Sequence, residues 1–154
     1  MKCTVVVGGQ YGSEGKGKVV SLCAERSFQP WIIRCGGPNS GHTVNIDGRM
    51  LALRQIPAGA GRQDAILLLA AGCVIDEDVF LTEVNQLKID RHRLIVDPRA
   101  VLVTPYDRVA EQSAIQQIGS TGSGNGSALI RRMRRESGVA FSSDSPKIRE
   151  RASD

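Results

Sequence analysis

Short apolar blocks separated by polar or glycine-rich stretches recur along this chain, and their lengths and periods predict its elements. CTVVV (3–7) is a β-branched run closed by Gly8-Gly9, which predicts a buried parallel strand. KVVSLCAER (18–26) is apolar at 19, 20, 22, 23 and 24, the spacing of a short amphipathic helix. WIIRC (31–35) predicts a second strand, and VNIDGRMLALRQI (44–56) predicts a hairpin turning at Asp47-Gly48. After the break at Pro57 to Gly61, AILLLAAGCVI (65–75) is the longest apolar run and predicts a buried strand over 65–71. DEDVFLTEVNQLK (76–88) predicts a helix, with acids in its first turn and Val79, Phe80, Val84 and Leu87 on one stripe. RLIVDPRAVLVT (93–104) predicts one or two further strands, 105–118 a mostly polar helix, and SALIRRMRR (127–135) a basic helix. Strands alternating with helices predict an α/β fold with a mostly parallel sheet and flanking helices. Residues 136–154 offer only Val139, Ala140, Phe141, Ile148 and Ala152 as apolar content. They are expected to form a loose polar tail behind a domain over 1–135.

Composition narrows the functional classes. The 154 residues suit one domain, and 41% hydrophobic with 23% charged residues is ordinary for a globular protein. Aromatics at 4% speak against stacking platforms for nucleic acid. The net charge of +4 is local: residues 131–154 hold seven Lys/Arg against four acids, so a nucleic-acid-binding surface is not indicated. Cys3, Cys23, Cys35 and Cys73 are dispersed without a CxxC pair, which favours reduced, structural thiols in a cytoplasmic protein over disulfides or metal ligands. The apolar run at 65–75 is about half of what a bilayer requires, and MKC leads straight into a strand pattern without a signal peptide. No membrane association is expected.

Three glycine-polar loops carry the candidate chemistry. GGQYGSEGKGK (8–18) nearly fits the phosphate-cradling pattern GxxxxGK[ST] through Gly12, Gly17 and Lys18. Val19, however, stands where a hydroxyl would meet magnesium. Glycines can turn several N–H groups toward one anion, and a following helix adds its dipole. The alternative is a plain glycine-rich connector. In GGPNSGHT (36–43), His42 lies among Asn39, Ser40, Gly41 and Thr43, after a strand, where open α/β sheets place function. A structural histidine is the competing reading. His92, in the charged connector DRHR, reads as solvated. GSTGSGNG (119–126) before an arginine cluster is either another anion site or a flexible linker.

Taken together, GGQYGSEGKGK, PNSGHTVNIDG, RQIPAG and IGSTGSGNG resemble, in order and spacing, the successive motifs of the adenylosuccinate synthetase family, over about residues 3–135. The resemblance implies a P-loop-like synthetase fold, truncated relative to the family. It implies a ligase of purine biosynthesis that joins L-aspartate to the 6-oxo position of IMP, driven by GTP and Mg2+ through a 6-phosphoryl intermediate. A cytoplasmic homodimer is implied as well. The nucleotide site would comprise Gly12, Ser13, Glu14, Gly15, Lys16, Gly17, Lys18, Gly41, His42 and Thr43. The purine monophosphate would meet Asn39, Ser40, Gly41, His42 and Thr121, with Arg135 reaching a neighbouring phosphate across the dimer and Arg134 as the adjacent candidate. His42 matches the family's catalytic acid, and Ser13 and Gly41 match its magnesium ligands.

Two departures bear on activity. Ser13 stands where the family has a catalytic aspartate, and a neutral hydroxyl is neither a base near pH 7 nor a strong magnesium ligand. The same exchange, with PN before GHT and GSTG in the third loop, resembles the phage-associated branch that acts on dGMP and can use ATP. A smaller, uncharged residue leaves room for a guanine 2-amino group. The family's later half, which supplies the aspartate-binding loop and guanine recognition, is missing. The competing readings are a catalytically inactive nucleotide-binding remnant and a P-loop phosphotransferase. Val19 and the lack of a second acidic metal motif oppose the latter.

Overall fold

The structure is a computed structural model. It describes all residues except 1, 2, 11, 13, 47, 119 and 120, and of residues 113–118 the backbone only. Its centre is a parallel sheet ordered β1-β4-β6, formed by β1 (Trp31–Arg34), β4 (Ile66–Leu69) and β6 (Leu94–Val96). β2 (His42–Ile46) and β3 (Arg49–Leu53) form the expected antiparallel hairpin, and β5 (Val74–Ile75) pairs in parallel with β7 (Val101–Leu102). The helices are α1 (Lys16–Glu25), α2 (Glu77–Leu87), α3 (Pro105–Ile118), α4 (Asn125–Arg134) and α5 (Pro146–Arg151). The apolar run at 65–75 therefore supplies two strands, β4 and β5, separated by a turn closed by the Cys73 N–H donating to the Ala70 carbonyl at 2.8 Å.

Period-two alternation decides what each face of the sheet meets. Ile32, Leu67 and Leu94 lie side by side on one face, and all are buried. Together with Leu53, Ile56, Leu69, Ile75, Phe80 and Ile148 they make the main core. Each such side chain contributes roughly 1.5–3 kcal/mol by leaving water. On the opposite face Trp31 and Ile33 remain 63% and 58% exposed, beside half-buried Ile66, Leu68 and Ile95. Parallel sheets are ordinarily covered on both faces. Among the described residues, one face of this sheet is closed and the other is only partly covered.

Two expectations require correction. Residues 3–7 form no strand: Val5 and Val7 are 76% and 79% exposed, and no ladder pairs them. A β-branched run favours extended backbone but cannot create the neighbouring edge that a strand needs. The tail is not loose either. α5 is capped by the Ser145 hydroxyl, which accepts from the Ile148 N–H at 3.1 Å; Ile148 and Ala152 are buried, and Ser153 pairs along β6. A few well-spaced apolar residues anchor a segment that composition alone marks as solvated.

Candidate functional site

Glycines bring the three loops together. Gly17, in the first turn of α1, packs on His42: a Cβ at Gly17 would stand 2.7 Å from His42 Cβ. In the second loop, a Cβ at Gly37 would overlap the Asn125 amide oxygen at the start of α4, with the Asn39 amide oxygen 3.3 Å away. Gly124 cannot be replaced freely, because it holds φ 78° and its Cβ position lies 2.7 Å from Val103. Loop one thus touches loop two, and loop two touches loop three.

Within loop one, Gly15 adopts the left-handed region (φ 77°) and opens α1 without a side-chain cap. The Glu14 carboxylate folds back to accept from the Gln10 N–H at 2.9 Å and pairs with the Lys16 ammonium. The Lys16 hydrogen bond, then that of Gln10, hold the Glu14 carboxyl below the usual carboxylate range. Gly12, Gly15, Lys16 and Lys18 are exposed. Ser13 lies outside the described residues.

Loop two is organised by Arg34, which period-two alternation places on the same buried face as Ile32. Its Nη1 lies 3.2 Å from His42 Nδ1. Its Nη2 donates to the carbonyls of Gly37 (3.1 Å), Ser40 (2.7 Å) and Arg54 (2.7 Å), and to the Ser40 hydroxyl (3.2 Å). Arg54 is held in turn by Glu83 on α2, whose carboxylate accepts the N–H groups of Arg54, Gln55 and Ile56 at 2.6, 3.0 and 2.8 Å. Below the strand, the Cys73 thiol donates to the Arg34 carbonyl at 3.0 Å, and burial pushes that thiol up to about 11. Burial first, and then the neighbouring Arg34 charge, lower His42 to about 4 against a weaker opposing pull from the Ile56 carbonyl. His42 is therefore neutral at physiological pH.

Loop three is braced by carboxylates. Glu111 on α3 accepts from the N–H groups of Gly124 (2.8 Å), Gly126 and Ser127 (3.2 Å). A protein carboxylate therefore takes up the helix N-terminus that the sequence suggested for an external anion. Asp107 and Arg131 form a buried two-bonded ion pair at 2.7 Å, and Thr104 donates a further hydroxyl bond to Asp107. Burial alone would raise the Asp107 carboxyl, but the Arg131 and Thr104 hydrogen bonds outweigh it and hold it low. A cavity of about 550 Å³ opens beside α3, α4 and the third loop, with Asn39 of the second loop at its side, and is lined among others by Glu111, Thr121, Asn125, Arg131 and Arg134. Thr121 donates to the hydroxyl of Ser123, also in its lining, at 3.0 Å. Arg134 lines this cavity and pairs with Glu136 at 3.6 Å, whereas Arg135 is exposed and caps α4 with φ 55°.

Among the described residues, three buried side-chain polar atoms lack a partner: Arg34 Nε, His42 Nε2 and Asn125 Oδ1. His42 and Asn125 belong to the second and third loops, and Arg34 ends β1 just before the second. Buried polar atoms are ordinarily satisfied, so each of these three is open to a partner outside the chain, whether water or ligand. The sequence reading missed Arg34, Glu83, Glu111 and Asn125. An arginine inside the apolar strand WIIRC was the one local signal available. Among the described residues there is no group of three or more metal-ligating side chains, and no helix is long and apolar enough to cross a membrane. The four cysteines are free: Cys73 is buried, Cys23 half-buried, and Cys3 and Cys35 exposed.

Comparisons with known proteins place the chain among relatives of one family. The family model of adenylosuccinate synthetase matches residues 5–145. The adenylosuccinate synthetases of Archaeoglobus fulgidus and Methanocaldococcus jannaschii are 44% and 40% identical to the chain, each over 88% of it. The chain spans 41% of the length of either relative. Among solved structures, succinoaminodeoxyadenylate synthetase of cyanophage S-2L, bound to dGMP and to dATP as an energy donor, superposes with TM-score 0.78. It is 31% identical, over 94% of this chain and 42% of that one. The fully ligated adenylosuccinate synthetase of Plasmodium falciparum gives 0.74 at 26% identity, over 83% of this chain and 32% of that one.

Proposed function

The chain belongs to the adenylosuccinate synthetase family, and from that premise we propose that it carries the nucleotide-phosphate and purine-monophosphate part of such a ligase's site. The contacts of Gly17 with His42 and of Gly37 with Asn125, which join the three glycine loops and leave His42 Nε2 and Asn125 Oδ1 buried without a partner, support this reading. The purine monophosphate occupies the cavity between Asn39, Thr121 and Arg134, and the triphosphate meets loop one at Gly15 to Lys18. His42 contributes a neutral N–H donor toward the 6-oxygen. That donor stabilises negative charge while the oxygen attacks the terminal phosphoryl group, whose bond to the departing nucleoside diphosphate breaks as the purine N1 proton passes to water. The amine of L-aspartate then displaces phosphate from C6, forming the C–N bond as the C–O bond breaks. The donor set toward Mg2+, the Gly41 carbonyl and the Ser13 hydroxyl, is small and all oxygen. It suits an ion that keeps phosphates and waters as its other ligands. When bound, that ion neutralises charge on the transferring phosphoryl group. The aspartate-binding loop belongs to the part of the family's length that this chain does not span.

Of the two purines, dGMP is favoured, with ATP as the donor. The observation behind this is the likeness to the phage enzyme bound to dGMP and dATP, together with Ser13 in place of a carboxylate. Titration calorimetry with dGMP and with IMP tests it, and dGMP is expected to bind more tightly. Tight IMP binding without dGMP binding would refute the choice of purine. Ser13→Asp is expected to strengthen magnesium-dependent IMP binding. If saturating dGMP, IMP, GTP and ATP all leave the melting temperature unmoved, the nucleotide-binding reading fails. Binding without turnover identifies the inactive remnant.

A further inference from the structure

Resting on the reading of His42 as the donor at the 6-oxygen, we propose that Arg34 is its positioning residue, fixing the imidazole as the Nε2–H tautomer. Arginine has only donors, so at 3.2 Å from Nη1 the His42 Nδ1 must accept. A neutral imidazole whose Nδ1 accepts carries its proton on Nε2. That Nε2 is the ring atom buried without a partner. The donor is thus made available by the bond on the other side of the ring.

The guanidinium itself has little freedom to move. Nη2 is fixed by the carbonyls of Gly37, Ser40 and Arg54 and by the Ser40 hydroxyl. Arg54 is locked through its backbone to Glu83, so the chain of restraint runs from α2 through Arg54 and Arg34 to the imidazole. Gly17 closes the other side, allowing the ring to rest on the first turn of α1. A lysine offers one compact ammonium and cannot meet His42 while spanning those carbonyls.

Two-bond proton–nitrogen correlation of the imidazoles, recorded on the full chain at neutral pH without nucleotide, reads the tautomer directly. A single Nε2–H form with a bare Nδ1 is expected for His42. Arg34→Met is expected to give a mixture of both tautomers, and Arg34→Lys to fall between it and the parent. A parent chain carrying its proton on Nδ1 overturns the proposal, and that measurement stands even where a variant does not fold. A folded Arg34→Met with an unchanged spectrum also overturns it, reducing Arg34 to a staple of the 36–43 loop. Because no nucleotide is present, failure here leaves the functional reading intact. Failure of nucleotide to bind in calorimetry removes the reading while leaving the tautomer as found.

Discussion

A methyl group on Gly17 would sit 2.7 Å from Cβ of His42, inside any normal contact distance. Gly17→Ala is therefore expected to destabilise the fold by about 1–3 kcal/mol in urea unfolding, through overpacking. It should also weaken nucleotide binding, because the strain relaxes by moving the ring. The charge state of His42 gives a second test. In the unfolded chain a histidine titrates near 6.5, whereas in the folded chain it stays neutral down to about 4. Between those values the unfolded chain binds a proton that the folded chain refuses, so stability is full above about pH 6.5 and falls as the pH drops toward 4. Thermal unfolding across this range measures the slope, and His42→Gln should flatten it. His42 was legible in the sequence because its glycine and hydroxyl neighbours are adjacent. Glu83 and Glu111 were not, because each finds its partners far along the chain: Glu83 meets Ile56 from 27 residues away.

Elements show the same division between local and distant causes. α2 was predicted nearly to its ends, since its Asp76 cap, its acids and its apolar stripe are all adjacent in sequence. The β2–β3 hairpin was equally visible, since a two-residue turn sets its register. Residues 3–7 and the tail were misread because a strand requires a partner edge and an anchor requires a waiting pocket, and neither is local. The docking of α3 on α4 also escaped the sequence, and it rests on Asp107 and Arg131. Asp107→Asn leaves a buried guanidinium facing a neutral amide and is expected to cost about 3–5 kcal/mol in denaturant unfolding. Replacing both residues with leucine and methionine should cost less than either single change, which a double-mutant cycle will measure.

At the scale of the whole molecule the sheet is asymmetric, with one face packed and the other open at Trp31 and Ile33. Leu67→Ala on the closed face is expected to cost about 2–5 kcal/mol. Trp31→Lys or Ile33→Lys on the open face should change unfolding stability by no more than about 0.5 kcal/mol. Urea titration of the three variants decides whether the two faces differ in this way. The α/β class was readable from alternating patterns, but the open face was not, since Trp31 and Ile33 are as apolar as Ile32 between them.

The thiol beneath Arg34 has a use of its own. Cys73 is fully buried and its proton is held up to about 11, while Cys3 and Cys35 face solvent. Iodoacetamide should accordingly label the exposed pair within minutes and leave Cys73 untouched until the chain opens. The rate of that last alkylation is a clock for how often the floor under the arginine gives way, readable by mass spectrometry without any substrate.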